Sequence, residues 1–336
     1  MSKCLSRFSQ VLALLALSTG YGLHAETVLR PRPVAEHVYV LPGQFEPGQQ
    51  PDGNSVLFRG PAGWIVFDSG RHAAHTLRIQ DFIAGYGERI EAIVNSHWHL
   101  DHVGGNARIR FKSPWVRVYA SPAIETAMQT WLADYRKQLE QMLTSEQLSE
   151  QDKDNYRGDL ALIDEGSKLF PDYPVTSTRN WRIAERRVRL GLETHAVTAG
   201  DVWLYDRRTR ILAAGDLVTL PVPFFDTACP SRWSAALAGL EDLPFQRLVP
   251  GHGPVLNRDD YSRYRRAFDA LLVCADSESS IAECSDAWLQ QTADWVPESE
   301  RERARGMLQY YFETLLRAPE ARRLRFCPKA DVIVQR

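Results

Sequence analysis

Residues 95–106 read Asn-Ser-His-Trp-His-Leu-Asp-His-Val-Gly-Gly-Asn, which puts three histidines and one aspartate within six positions. Imidazole and carboxylate together are the donors that a borderline divalent ion such as zinc takes. The run follows Ile90 to Asn95, an apolar stretch that reads as a short strand. In extended chain, side chains at i and i+2 share a face, so His97 and His99 can reach one ion together. Asp101 and His102 fall just past the strand end, where a turn would aim them at a second ion. Gly104 and Gly105 would let the next helix start close by. The competing explanation is a run of surface histidines. Three histidines and an aspartate directly behind an apolar strand fit metal-ligand chemistry better. Trp98, between two ligands, should point away from them and pack.

The elements that would position such a site are legible around it. Residues 38–45, 55–59 and 63–67 are rich in β-formers and separated by Gly and Pro, as in an antiparallel meander. A helix is expected over 72–85 and a further strand from Trp115 to Ala120. Ile124, Met128, Trp131, Leu132, Tyr135, Leu139 and Met142 recur at steps of three and four, and Tyr156, Leu160 and Ile163 continue the period. This predicts a helical hairpin inserted at about 122–168, either packing or covering the site. Arg182 to Thr194, Val202 to Tyr205 and Arg210 to Ala213 read as a second set of strands. After His252, Tyr261, Tyr264, Phe268 and Leu271 share a helical face, as do Met307, Tyr311 and Leu315, giving a helical extension over about 258–336. Alternating strands and helices imply an α/β fold, here a single domain over 26–336.

Further motifs stand in order along the chain: Phe67-Asp68-Ser69-Gly70, Ala214-Gly215-Asp216-Leu217 and Pro250-Gly251-His252-Gly253. With His97-x-His99-x-Asp101-His102 they resemble the metallo-β-lactamase superfamily, whose fold is an αββα sandwich with the site at one edge of two sheets. The resemblance implies two Zn2+ ions, Mn2+ or Fe suiting the same donors. It implies His97, His99, Asp101, His102, Asp216 and His252 as ligands, with Asp216 bridging. It also implies Asp68 as the group behind a ligand histidine. One motif departs. The family usually places its third first-site histidine four residues before the residue that opens a strand, and here that position is Val197, before Asp201. A loop longer by two residues would let His195 serve instead, with Thr198 or Glu193 as substitutes.

Composition sets the context. A net charge of −2 over 336 residues gives no reason to expect a nucleic-acid partner. Lys3 and Arg7, the apolar run Val11 to Leu17 and the Leu23-His24-Ala25 step have the layout of an export signal over 1–25, too short to span a membrane. That predicts a periplasmic or secreted protein without stable membrane insertion. Cys229, Cys274, Cys284 and Cys327 would remain in an oxidising compartment, where three pairings are open. The short connection favours Cys274–Cys284, which would leave Cys229–Cys327.

The expected chemistry is hydrolysis. A metal-bridging water, its pKa lowered toward roughly 7, attacks an ester, lactone, thioester or amide of a small molecule. Asp101 and Asp216 would be the catalytic carboxylates, with Asp101 orienting the water or returning its proton. Phe224, Phe225 and Asp226, in the loop after Asp216, are candidates to touch substrate. The aspartate at 216 resembles glyoxalase II-like and lactonase-like hydrolases; the Leu-Val-Pro-Gly-His-Gly-Pro stretch at 248–254 and the export signal resemble exported zinc metallohydrolases associated with quinoprotein dehydrogenases. Two rival readings are a class B β-lactamase-like amide hydrolase and a non-catalytic metal-binding accessory protein of a periplasmic oxidation system. The well-known β-lactamases carry cysteine or serine where this chain has Asp216, and a complete ligand set disfavours the accessory role.

Overall fold

The computed structural model describes residues 29–45 and 48–328. The segment 1–25, read above as an export signal, lies outside the described residues. Thirteen strands form two sheets among these residues. The first is ordered β1 (Arg32–Ala35), β2 (Val38–Leu41), β3 (Ser55–Gly60), β4 (Gly63–Phe67), β5 (Ile90–Val94), β6 (Arg117–Ala120) and β7 (Tyr173–Pro174). The second runs, in space, β13 (Leu256–Asn257), β12 (Arg247–His252), β11 (Ile211–Thr219), β10 (Asp201–Asp206), β9 (Arg186–Glu193) and β8 (Arg179–Ile183). Strands β4 to β7 pair in parallel, as do β11 and β12, so their carboxyl ends open on one side. That side carries the candidate ligands.

Period-2 patterning explains the layering. Val56 and Phe58 of β3 and Ile65 and Phe67 of β4 point into an apolar layer shared with Leu190, Leu204 and Ala213 of the other sheet. Their neighbours Leu57, Trp64 and Val66 face outward onto α1 (Ala73–Ala84) and α3 (Asn106–Lys112); α2 is the single turn Leu100–Val103. On the outer face of the second sheet, Trp203, Leu212 and Ala214 pack against α7 (Pro230–Glu241), α8 (Arg258–Ala275), α9 (Ile281–Gln291) and α10 (Glu298–Tyr311). The result is the four-layer α/β/β/α sandwich. Each fully buried large aliphatic or aromatic side chain contributes about 1.5–3 kcal/mol. Capping boxes at Asn257/Asp260 and Ser280/Glu283 start α8 and α9.

The insertion between β6 and β7 is helical but has three helices, not two. The backbone breaks at Thr130, dividing α4 (Ala123–Gln129) from α5 (Trp131–Met142), and α6 (Glu150–Asp164) returns. A second difference lies at 182–194, read as one strand. Residues 184 and 185 both adopt left-handed backbone (φ 48° and 59°) and turn the chain into the β8–β9 hairpin. Ala-Glu carries none of the Asn or Gly that normally marks such a turn. The last helix among the described residues is the short α11 (Glu320–Arg323). Disulfides join Cys274–Cys284 and Cys229–Cys327. Among the described residues no helix is long and apolar enough to cross a membrane.

One titratable group in this frame makes a testable pH dependence. His75 of α1 is buried, and its Nε2 lies 2.8 Å from Ser55 Oγ. Burial pushes its imidazole down to about 4. An unfolded histidine titrates near about 6.5, so between these values only the unfolded chain takes the proton. Stability from this residue is therefore complete above about pH 6.5 and falls by up to about 3 kcal/mol as pH drops through about 4. The urea midpoint should drop between about pH 7 and 4.5, and less so in His75→Gln. An identical pH slope in the variant would refute this.

Candidate metal centre

Four strands deliver the site. Asp68 follows β4, His97 and His99 follow β5 with His99 at the start of α2, Asp216 lies within β11, and His252 ends β12. Two groups of three donors result: His97, His99 and Asp216, and Asp101, His102 and His252, the donor atoms of each group within 4.8 Å of one another. Asp216 faces both. Its Oδ2 is 3.7 Å from His97 Nε2, and its Oδ1 is 3.3 Å from His102 Nε2 and 3.6 Å from His252 Nε2. Asp101 Oδ2 lies 3.0 Å from His252 Nε2 and 3.5 Å from His102 Nε2. Donors about 2.0–2.2 Å from one tetrahedral ion stand roughly 3.3–3.6 Å apart, so the second group, at 3.0 and 3.5 Å, is close to that spacing.

The chemistry of these atoms fits a cation. His97 Nε2, His102 Nε2, His252 Nε2 and both carboxylate oxygens of Asp216 are buried with no hydrogen-bond partner. Buried polar atoms left unpaired cost roughly 1–3 kcal/mol each, and five converging on one spot are explained together by divalent ions. Backbone packing keeps the space tight. A Cβ on Gly251 would lie 1.9 Å from Asp216 Oδ1, and one on Gly53 would lie 2.5 Å from the His102 ring.

Neighbouring groups fix which nitrogen of each imidazole faces inward. Asp68 is buried in left-handed backbone (φ 61°) and accepts from Ser96 N, Ser96 Oγ and His102 Nδ1 at 2.7, 2.7 and 2.8 Å. The Ser96 hydroxyl proton is thus committed, and its oxygen is left to accept from His97 Nδ1 at 2.9 Å. Thr227 repeats the device. Its hydroxyl donates to the Val197 carbonyl (2.9 Å), so its oxygen accepts from His99 Nε2 (3.0 Å) and leaves Nδ1 free. Nε2 of His97 and His102, and Nδ1 of His99, are thereby the nitrogens left to face a cation.

Electrostatics follow from burial and the crowd of charges. Burial, with His102 and His99 beside it, holds His97 well below the usual imidazole range, and burial takes His99 down to about 4. His102 feels the same burial, but Asp216, Asp101 and Asp68 outweigh it and hold it well above that range. Asp101 and Asp216 are buried too, yet His102 and His252 keep both carboxyls below the ordinary carboxylate range, helped at Asp101 by Arg71. A cation bound there would take over the role of the His102 proton, and its uptake would release a proton.

Several residues were not singled out in the sequence. Arg71 Nη2 lies 3.7 Å from Asp101 Oδ1, while Nη1 bonds Asp159 of α6, which also accepts from Tyr135 of α5 (2.8 Å). The inserted helices are thus tied to a candidate ligand. Arg71 stands directly behind the Asp68-Ser69-Gly70 motif, the one signal that could have marked it. Ser96 and Thr227 carry no such signal, because their roles arise from tertiary contact.

Other expectations are corrected. His195 belongs to neither donor group among the described residues. It sits in left-handed backbone (φ 60°), and its Nδ1 donates to the Phe326 carbonyl at 3.2 Å. The longer loop does not deliver it, because Val197 N and Thr198 N are pinned to the Asp201 carboxylate and Cys229 N to the Ala196 carbonyl. Of the loop residues, Phe224 is half-buried with its ring 5.5 Å from that of His252. Phe225 is fully buried against Trp233, Phe268 and Tyr311, whereas Asp226 is exposed and accepts from the Tyr311 hydroxyl at 2.7 Å. Trp98 packs in the insertion's apolar cluster, with its ring against Trp131.

The metallo-beta-lactamase superfamily profile matches residues 50–272, about two thirds of the chain. The chain belongs to the metallo-beta-lactamase superfamily and is a metal-dependent hydrolase of that group. Among solved structures, a metallo-beta-lactamase from Pontibacter korlensis is similar, with a TM-score of 0.54 and 19% identity over 72% of this chain and 99% of that one. The DIM-1 metallo-beta-lactamase gives 0.52 and 15% over 72% and 96%. A double mutant of the sec-alkyl sulfatase PisA1 gives 0.56 and 16% over 77% of this chain but 45% of that one. At these identities the likeness is one of fold. No curated protein matches the chain in sequence.

Proposed function

We propose that this protein is an exported hydrolase with two zinc ions, acting on an ester, lactone, thioester or related acyl bond of a small molecule. The observation that carries the reading is the convergence of five unpartnered donor atoms from three segments around Asp216, with Asp101 completing the set. When bound, such ions supply a water acidified toward roughly neutral pH and a Lewis acid for the substrate's oxygen. The chain's residues do the rest. Asp216 spans both positions and fixes their separation. Asp101, kept ionised by His102, His252 and Arg71, accepts a hydrogen bond from the attacking water and orients it. Asp68, Ser96 and Thr227 hold the ligand imidazoles in one tautomer. Imidazole and carboxylate donors suit zinc, and two disulfides fit an oxidising compartment.

Asp216 also separates acyl-ester chemistry from β-lactam hydrolysis, since the superfamily's familiar β-lactamases carry cysteine or serine there. The test is a panel of lactone, thioester, β-lactam and phosphodiester substrates with the zinc-loaded protein. Lactone or thioester turnover is expected, abolished by chelation and restored by Zn2+. Turnover confined to the β-lactam or the phosphodiester would reject the proposed substrate class.

A further inference from the structure

We infer that the two metal positions are unequal: one closes on its ion with four protein donors, and the other holds an exchangeable ion with three. This deepens the two-ion reading above and rests on it. The second position is framed by Asp101 Oδ2, His102 Nε2, His252 Nε2 and Asp216 Oδ1, whose measured separations of 3.0, 3.3, 3.5 and 3.6 Å scatter about the edge of a tetrahedron around zinc. The first position has His97, His99 and the other oxygen of Asp216, which it must share.

Among the described residues nothing nearby completes the first position. Val197, four residues before Asp201, is an apolar side chain buried in the core. His195 lies outside both donor groups; its ring is turned toward Phe326, whose carbonyl accepts from its Nδ1, on the segment that Cys327 ties to Cys229. The Thr198 hydroxyl bonds Asp201 at 2.8 Å, and Glu193 accepts from the Trp203 indole at 3.0 Å. Zinc sites with four protein ligands are closed, whereas those with three keep a position for water or substrate. The first position is therefore the one where a substrate oxygen enters, and the second anchors the centre.

The size of the inequality can be bounded. Removing merely a partner behind a ligand weakens metal binding roughly 10–100-fold, so lacking a whole ligand separates the two affinities by at least about tenfold. The experiment is titration of the chelator-stripped, disulfide-intact protein with Zn2+ and Co2+, followed by calorimetry and native mass spectrometry. One ion per chain should bind first and a second at least about tenfold more weakly. His99→Ala should lose the weak step and keep the tight one, and His195→Ala should leave both unchanged. Two equal steps in the wild type, or a weak step lost in His195→Ala, would overturn the inequality, and neither result depends on whether His99→Ala folds. A stripped protein that takes up no ion would instead overturn the two-ion reading beneath it.

Discussion

Asp216→Ala is expected to lower kcat/KM by more than about a thousandfold and to strip bound metal from the purified protein. Metal-assisted polarisation is worth several kcal/mol in the transition state, and about 4 kcal/mol corresponds to three orders of magnitude. Asp216 is the side chain facing both donor groups, so its loss disturbs both positions at once. The fold should survive. Neither carboxylate oxygen has a protein hydrogen bond to lose, and the flanking residues of β11 stay buried. Circular dichroism and metal content, measured alongside turnover, separate the effect from misfolding. A folded variant with turnover within about tenfold of wild type would refute the role of this carboxylate.

Asp68→Asn should weaken metal binding roughly 10–100-fold without unfolding the chain. Asparagine tolerates the left-handed backbone at this position better than other residues apart from glycine. The amide, however, cannot accept all three donors that Asp68 takes from Ser96 and His102, because its nitrogen only donates. The His102 imidazole loses both its orienting partner and a neighbouring charge that raises its pKa. Competition against a chromophoric chelator reads the dissociation constant directly. An unchanged constant would mean that Asp68 serves the fold alone.

The sequence made the parts of the site with local periodicity legible. His97, His99, Asp101 and His102 lie within one strand end and its turn, so spacing alone predicts that they converge. The sheet layering followed from alternation in β3 and β4. What escaped depends on distant contact. The Ala184-Glu185 turn is imposed by the pairing of β8 with β9 across residues with no turn preference. Thr227 meets His99 across 128 positions, and Arg71 meets Asp159 across 88. His195 was the natural substitute at a position where Val197 breaks the family pattern, yet its direction was decided by the chain's carboxyl end, which no local spacing encodes.

That carboxyl end also bears on how the protein matures. The Cys229–Cys327 bond spans 98 positions and fastens the tail just behind Thr227, the residue that orients His99. Every candidate ligand has been synthesised by residue 252, but this stitch waits for the last tenth of the chain and for an oxidant. A chain truncated before 327, or one with its thiols reduced, would carry all of its candidate ligands but lack the fastening behind one of them.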